Sequence, residues 1–198
     1  MKLALMNLYT NKRILTTLTP NQITILVGKN GYGKTTFLWS LQEYCKEQKI
    51  PYYFYNDMEQ GRNNGMQKML HNENYEGLAS MAFHSEGEAM LTAFSYFGLK
   101  EIGKAVHHNV GKADTFFVLL DQLDSGLDCK QLDEVKRVFR NLVIPDINKS
   151  GMEAYVLMTS NSYELAEGED CVDPVTGEHY MFSDMAEFKE YIKSLYKK

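Results

Sequence analysis

The stretch Gly28-Lys29-Asn30-Gly31-Tyr32-Gly33-Lys34-Thr35 restricts the fold more than any other part of the chain. It follows the β-branched and apolar run QITILVG and precedes a segment, Lys34 to about Gln48, in which Phe37, Leu38, Leu41, Tyr44 and Cys45 recur on one helical face. A strand that is apolar at almost every position is covered on both faces, as in a parallel sheet. The glycines admit backbone conformations that other residues resist and keep side chains out of the way of a ligand. Backbone N–H groups can then curl around an anion, and the helix start adds a partial positive charge. A chain with this feature has little choice but a strand–turn–helix unit with its opening at the strand's carboxyl end.

The remaining pattern fits that unit. KLALMNLY and RILTTL flank the short TNK and predict a hairpin; PYYFYN, DTFFVLLD and EAYVLMTS predict further strands. CKQLDEVKRVFRNLV predicts a helix burying Leu132, Val135, Val138, Phe139 and Leu142. GEAMLTAFSYFGLKEIGKAV predicts another, bent near Gly98, after a polar stretch over 60–75 read as loop with one short helix. CVDPVTGEHYMF predicts a late hairpin turning at Thr176-Gly177. SDMAEFKEYIKSLYKK predicts a terminal helix capped by Ser183 or Asp184 and burying Met185, Phe188, Ile192 and Leu195. Strands alternating with helices imply an α/β fold with a mainly parallel sheet flanked by helices, here with an N-terminal antiparallel hairpin. The expected organisation is one domain over 1–198, with a helical lobe over about 60–113 and a C-terminal hairpin and helix over 170–198.

Composition narrows the functional classes. A formal net charge of −5 supplies no global positive field for nucleic acid. Cys45, Cys129 and Cys171 are odd in number and widely spaced, which disfavours a disulfide framework and predicts a reducing, cytoplasmic setting. Without a CxxC pair there is no zinc pattern, and without an 18-residue apolar run no membrane insertion is expected.

The glycine loop fits G-x-x-x-x-G-K-[ST] without a mismatch, so Asn30, Gly31, Tyr32, Gly33, Lys34, Thr35 and Thr36 are expected to hold the phosphates of a nucleoside triphosphate. Lys34 would reach the β- and γ-phosphates and Thr35 would offer its hydroxyl to Mg²⁺. A second anchor for the metal is expected at Asp121, which ends the buried run TFFVLL.

These residues resemble the ABC-type ATPases. GKNGYGKTT matches their G-x-N-G-x-G-K-T-T loop, LLDQLDSGLD is similar to their Walker B strand and D-loop (Asp124 to Asp128), and HSEGE is similar to their signature motif through Ser85, Gly87 and Glu88. Glu88, rather than Gln, and the interval from Ser85 to Asp121 look more like the RecF, OLD and chromosome-maintenance heads than the transporter branch. The resemblance implies ATP and Mg²⁺ as cofactors and a homodimer in which Ser85 and Gly87 of one copy meet the ATP of the other. Asp124 would join the nucleotide site, and a glutamine, Gln60 or its rival Gln67, would contact the metal. It further implies work in DNA metabolism or phage–host conflict, with DNA or another protein as a partner. Tyr9 is a candidate for stacking on adenine. Seen alone, HSEGE is also a plain polar helix start with Ser85 as cap.

Two positions depart from that pattern. The general base after Asp121 is replaced by Gln122, and the switch histidine's place in MTSNSYEL holds Ser160 or Asn161. An amide orients water but accepts no proton, so turnover is expected to fall by about 10²–10⁴-fold. Three readings fit: a laboratory Glu→Gln change that traps the ATP-bound dimer, an inherited ATP-gated assembly switch, or a different base such as Glu88 or Asp124. Rival classes are the ATPase subunit of a transporter, which would need a membrane partner, and a P-loop kinase, for which Arg62 is the one arginine in a plausible lid.

Overall fold

A computed structural model describes residues 1–7, 10–56, 94, 98–124 and 127–196. Tyr9, Gln60, Arg62, Gln67, Ser85, Gly87 and Glu88, and with them the signature motif and most of the expected helical lobe, lie outside the described residues.

The N-terminal hairpin forms from β1 (Lys2–Met6) and β2 (Arg13–Thr17), paired antiparallel with Leu3 opposite Thr16. Both alternate buried and exposed residues, as strands packed on one side do. The main sheet comprises β3 (Gln22–Val27), β4 (Tyr52–Asn56), β5 (Thr115–Asp121), β6 (Glu153–Ser160), β7 (Asp170–Val172) and β8 (His179–Tyr180), in the order β4-β5-β6-β3-β7-β8. Its pairings are parallel except that of β7 with β8, the predicted late hairpin. The mixed α/β architecture, mainly parallel with an antiparallel N-terminal hairpin, is the one expected from the alternation of elements. Among the described residues, no helix is long and apolar enough to cross a membrane.

Two cores sit on the two faces of this sheet. On one, Phe117, Leu119, Tyr155, Leu157 and Leu26 meet Phe37, Leu38 and Leu41 of α1 (Lys34–Glu47) and Leu3, Leu5 and Ile14 of the hairpin. Phe117 stacks on Tyr155 at 5.0 Å between ring centroids. On the other, Phe116, Val118, Leu120, Val156 and Ile25 meet α2 (Leu99–Asn109) through Ile102 and Val106, and α3 (Cys129–Val138) through Leu132 and Val135. Alternate residues of β5 thus feed opposite cores, which is why its sequence is apolar throughout. Cys45 and Cys171 are buried and Cys129 is exposed, all three as free thiols.

Two predicted helical faces need correction. After α3 the chain makes a π-helical turn, Phe139–Val143, before α4 (Ile144–Lys149), and the short α5 (Tyr163–Ala166) follows β6. A π turn takes more residues than an α turn and shifts the phase of the buried stripe. Leu142 is therefore 56% exposed, Val143 is buried in its place, and Val138 is only partly buried. In the terminal helix α6 (Met185–Ser194), Phe188 and Leu195 are buried, but Met185 is exposed and Ile192 half-buried. Asp184 caps this helix by accepting from the Glu187 N–H, while Ser183 donates to the Glu187 carboxylate. On α2, Lys100, Lys104, His107 and His108 form an exposed face, with Lys104 paired to Glu101 at 2.7 Å.

Leu119 has no exposed surface and contacts several elements of its core. Leu119→Ala is expected to lower the unfolding free energy by about 2–5 kcal/mol, read as an earlier midpoint in a urea titration followed by circular dichroism.

Candidate functional site

The site is built where β3, β5 and β6 end. Gly28, Gly31 and Gly33 have φ of 153°, 73° and 100°, the last two in the left-handed region that side chains resist. Gly33 stands at the cap position of α1, among the described residues no side chain caps that helix, and the helix's first turn carries no acidic residue. Its first N–H groups therefore lack the intrahelical partners that later ones have, the arrangement in which a helix start takes an anion.

Lys34 is nearly buried beneath the loop. Its ammonium donates to the carbonyls of Gly28 (2.7 Å) and Lys29 (3.1 Å) and to Asn161 Oδ1 (2.5 Å). Burial pushes its pKa below the usual lysine value, against the pull of Asp124 and Asp121. Asp121 has no exposed surface. It accepts from Thr35 Oγ1 (3.1 Å) and Thr159 Oγ1 (2.9 Å) on one oxygen and from Asn56 Nδ2 (3.0 Å) on the other. Burial raises its carboxyl above the ordinary range, opposed by the Thr159 and Thr35 hydrogen bonds and by Lys34.

Gln122 follows with φ of 59°, a left-handed conformation that costs a residue with a Cβ roughly 1–2 kcal/mol. Its N–H is fixed on Thr159 Oγ1 at 2.8 Å. Ser160 donates to Asp124 Oδ2 at 2.6 Å, and the Asn161 backbone N–H reaches the same oxygen at 3.4 Å. Asn161 also donates through Nδ2 to Asn30 at 2.6 Å. Of the two residues expected at a switch position, Asn161 touches the glycine loop and Ser160 braces Asp124. Asp128 caps α3 in a capping box with Gln131.

A cavity of about 990 Å³ gathers these groups. Asn30, Gly31, Tyr32, Gly33, Lys34, Thr35 and Thr36 line it together with Asp121, Gln122, Asp124 and Ser160, so the described candidates from both halves of the sequence meet there. The oxygens of Thr35 and Asp121 suit a hard cation such as Mg²⁺, which takes one or two protein ligands and completes its shell from phosphate and water. Gln60, the third expected metal contact, lies outside the described residues. Among the described residues there is no cluster of three His, Cys, Asp or Glu groups that could form a cage for a metal by themselves.

Sequence reasoning missed Asn56, Thr159, Asn7, Thr10 and Val175. Asn7, Thr10, Thr159 and Val175 line the cavity, and Asn56 meets Asp121 from the neighbouring strand. A signal for two of them exists: PYYFYN and EAYVLMTS end in polar residues, as FFVLLD does, and ligands in such sheets gather at the strands' carboxyl ends. Asn56 is indeed the register partner of Asp121.

No protein-family model matches the chain, and a search of curated proteins finds no match. Solved structures similar to it include the ATP-binding cassette MJ0796 in a dimeric post-hydrolysis state bound to ADP and Pi, at 12% identity and a TM-score of 0.46, over 88% of this chain and 91% of that one. They also include the ATP binding subunit of an ABC transporter, at 14% identity and a TM-score of 0.42, over 99% of this chain and 97% of that one.

Proposed function

We propose that the chain is an ABC-type ATPase whose ATP, bound at residues 28–36 with Mg²⁺, is covered by a second copy in a head-to-tail homodimer. The observation that carries the reading is the meeting of Lys34, Thr35 and Asp121 at an uncapped helix start inside one cavity. The loop's N–H groups and Lys34 would hold phosphate oxygens, and Thr35 and Asp121 would hold Mg²⁺. Bound there, the ion neutralises charge that develops on the transferred phosphoryl group. The dimer and the part played by Ser85, Gly87 and Glu88 rest on the signature resemblance, as does a role in DNA metabolism or phage–host conflict.

Hydrolysis needs a group that accepts the proton of the attacking water as its oxygen bonds to phosphorus. Gln122 lines the cavity but cannot accept that proton, so the site binds and orients better than it turns over. Asp124 is the one other described carboxylate beside Asp121 in the cavity lining. Its Oδ2 accepts from the Ser160 hydroxyl and the Asn161 N–H, which ties it to the chain after β6.

Titration calorimetry with ATP and Mg²⁺ is expected to give a saturable signal for the unsubstituted chain and a loss of at least about tenfold in affinity for Lys34→Ala. Light scattering should register a doubling of mass on ATP–Mg²⁺ addition. No heat for the unsubstituted chain contradicts nucleotide binding, and heat without the mass change contradicts only the dimer. Gln122→Glu is expected to raise phosphate release by about 10²–10⁴-fold. An unchanged rate would show that Gln122 does not limit the reaction.

A further inference from the structure

Asp173 lies in the turn between β7 and β8, 1% exposed. Its Oδ1 accepts the backbone N–H groups of Val175 (2.8 Å) and Thr176 (3.0 Å). Its Oδ2 accepts the hydroxyls of Tyr32 (3.1 Å) and Tyr191 (3.0 Å). All four donors are neutral. Burying a carboxylate is expensive unless its oxygens are satisfied, and the turn itself needs only Oδ1, which an asparagine would supply. The second oxygen joins two distant parts of the chain: Tyr32 in the phosphate loop and Tyr191 on α6.

Tyr32 is well placed to act as a strut. It stands between Gly31 and Gly33, and its ring closes over Gly28, where an added Cβ would fall 2.5 Å from it. Its N–H bonds back to the Lys29 carbonyl at 3.1 Å. Fixing its hydroxyl therefore fixes the loop from Gly28 to Gly33. The same C-terminal segment holds the loop at a second point: Lys29 Nζ donates to the Leu195 carbonyl at 2.9 Å and lies 4.3 Å from the Tyr196 ring centroid. Burial and Asp173 push the Tyr32 hydroxyl up to about 12, so it stays a protonated donor across the physiological range. Tyr191 is raised by the same two causes.

We propose that Asp173 is a positioning residue for the phosphate loop, its carboxylate bridging Tyr32 and Tyr191 so that the C-terminal hairpin and helix set how firmly the loop is held for a phosphate. The inference rests on the nucleotide-binding reading for its ligand, but the tether itself is testable without one. Hydrogen exchange of the nucleotide-free protein is expected to speed up at the amides of residues 29–33 in Asp173→Asn and in Tyr32→Phe, with a smaller effect in Tyr191→Phe. Asp173→Asn keeps an acceptor for the turn, which guards against simple loss of the hairpin. The Kd for ATP–Mg²⁺ is expected to rise about tenfold in Asp173→Asn and in Tyr32→Phe, the loss of roughly one hydrogen bond to a charged group.

A double-mutant cycle separates positioning from general support. If Asp173 acts through Tyr32, Asp173→Asn adds little further weakening in the Tyr32→Phe background. Fully additive losses in Kd, or exchange rates at 29–33 unchanged from the unsubstituted chain, overturn the proposal. Should the unsubstituted chain take up no ATP, the nucleotide reading fails, and the exchange rates alone decide the tether: faster exchange supports it and unchanged exchange sinks it.

Discussion

The carboxylate of Asp121 is the interaction on which the rest of the site depends. A charge removed from water must find donors within the protein. Here they come from three directions: Thr35 at the start of α1, Thr159 near the end of β6 and Asn56 at the end of β4. Each donor sits on a different element, so one carboxylate fixes the relative height of a helix start and three strand ends. The register that pairs Asn56 with Asp121 is part of the same solution, because a slip by one residue would turn one of them toward the opposite face.

From that anchor the chemistry is distributed by sheet order. β5 lies between β4 and β6, and β6 lies beside β3, whose carboxyl end opens into the phosphate loop. Thr159 serves both sides of Asp121, donating to its side chain and accepting the N–H of Gln122. That second bond helps to hold Gln122 in a left-handed conformation, which a residue with a side chain adopts only when its surroundings over-determine it. The position that follows Asp121 is therefore mechanically defined by its backbone. An amide placed there keeps the geometry and removes the basicity.

Much of this was legible in the sequence, for reasons that can be named. Residues 22–36 could be read because strand, turn and helix are contiguous and each has a local signal: β-branching, glycine, and apolar spacing. The strands over 115–121 and 153–160 announced themselves through continuous apolar runs. The burial of Phe139 followed from the helical spacing, but the exposure of Leu142 did not, because the π-helical turn changes the period within a helix and nothing in the FRNLV residues marks it. Asn56 and Thr159 act across strands, and register is decided by the whole sheet. The contact between Tyr32 and Asp173 spans 141 positions of sequence and depends on the terminal hairpin returning beside β3. The different contacts of Ser160 and Asn161 depend on which way each side chain leaves the end of β6.

Asn161 accepts from Lys34 and donates to Asn30, and this pair of bonds orders the glycine loop within the folded chain. A free glycine-rich segment loses roughly 1–2 kcal/mol of backbone freedom per residue when it is ordered. In this molecule that entropy is surrendered as the chain folds, since the lysine and its neighbours are already immobilised by amide and carbonyl oxygens. A ligand taken up at the loop would exchange one set of partners for another and would have little ordering left to impose, which is the thermodynamic meaning of a preorganised receptor.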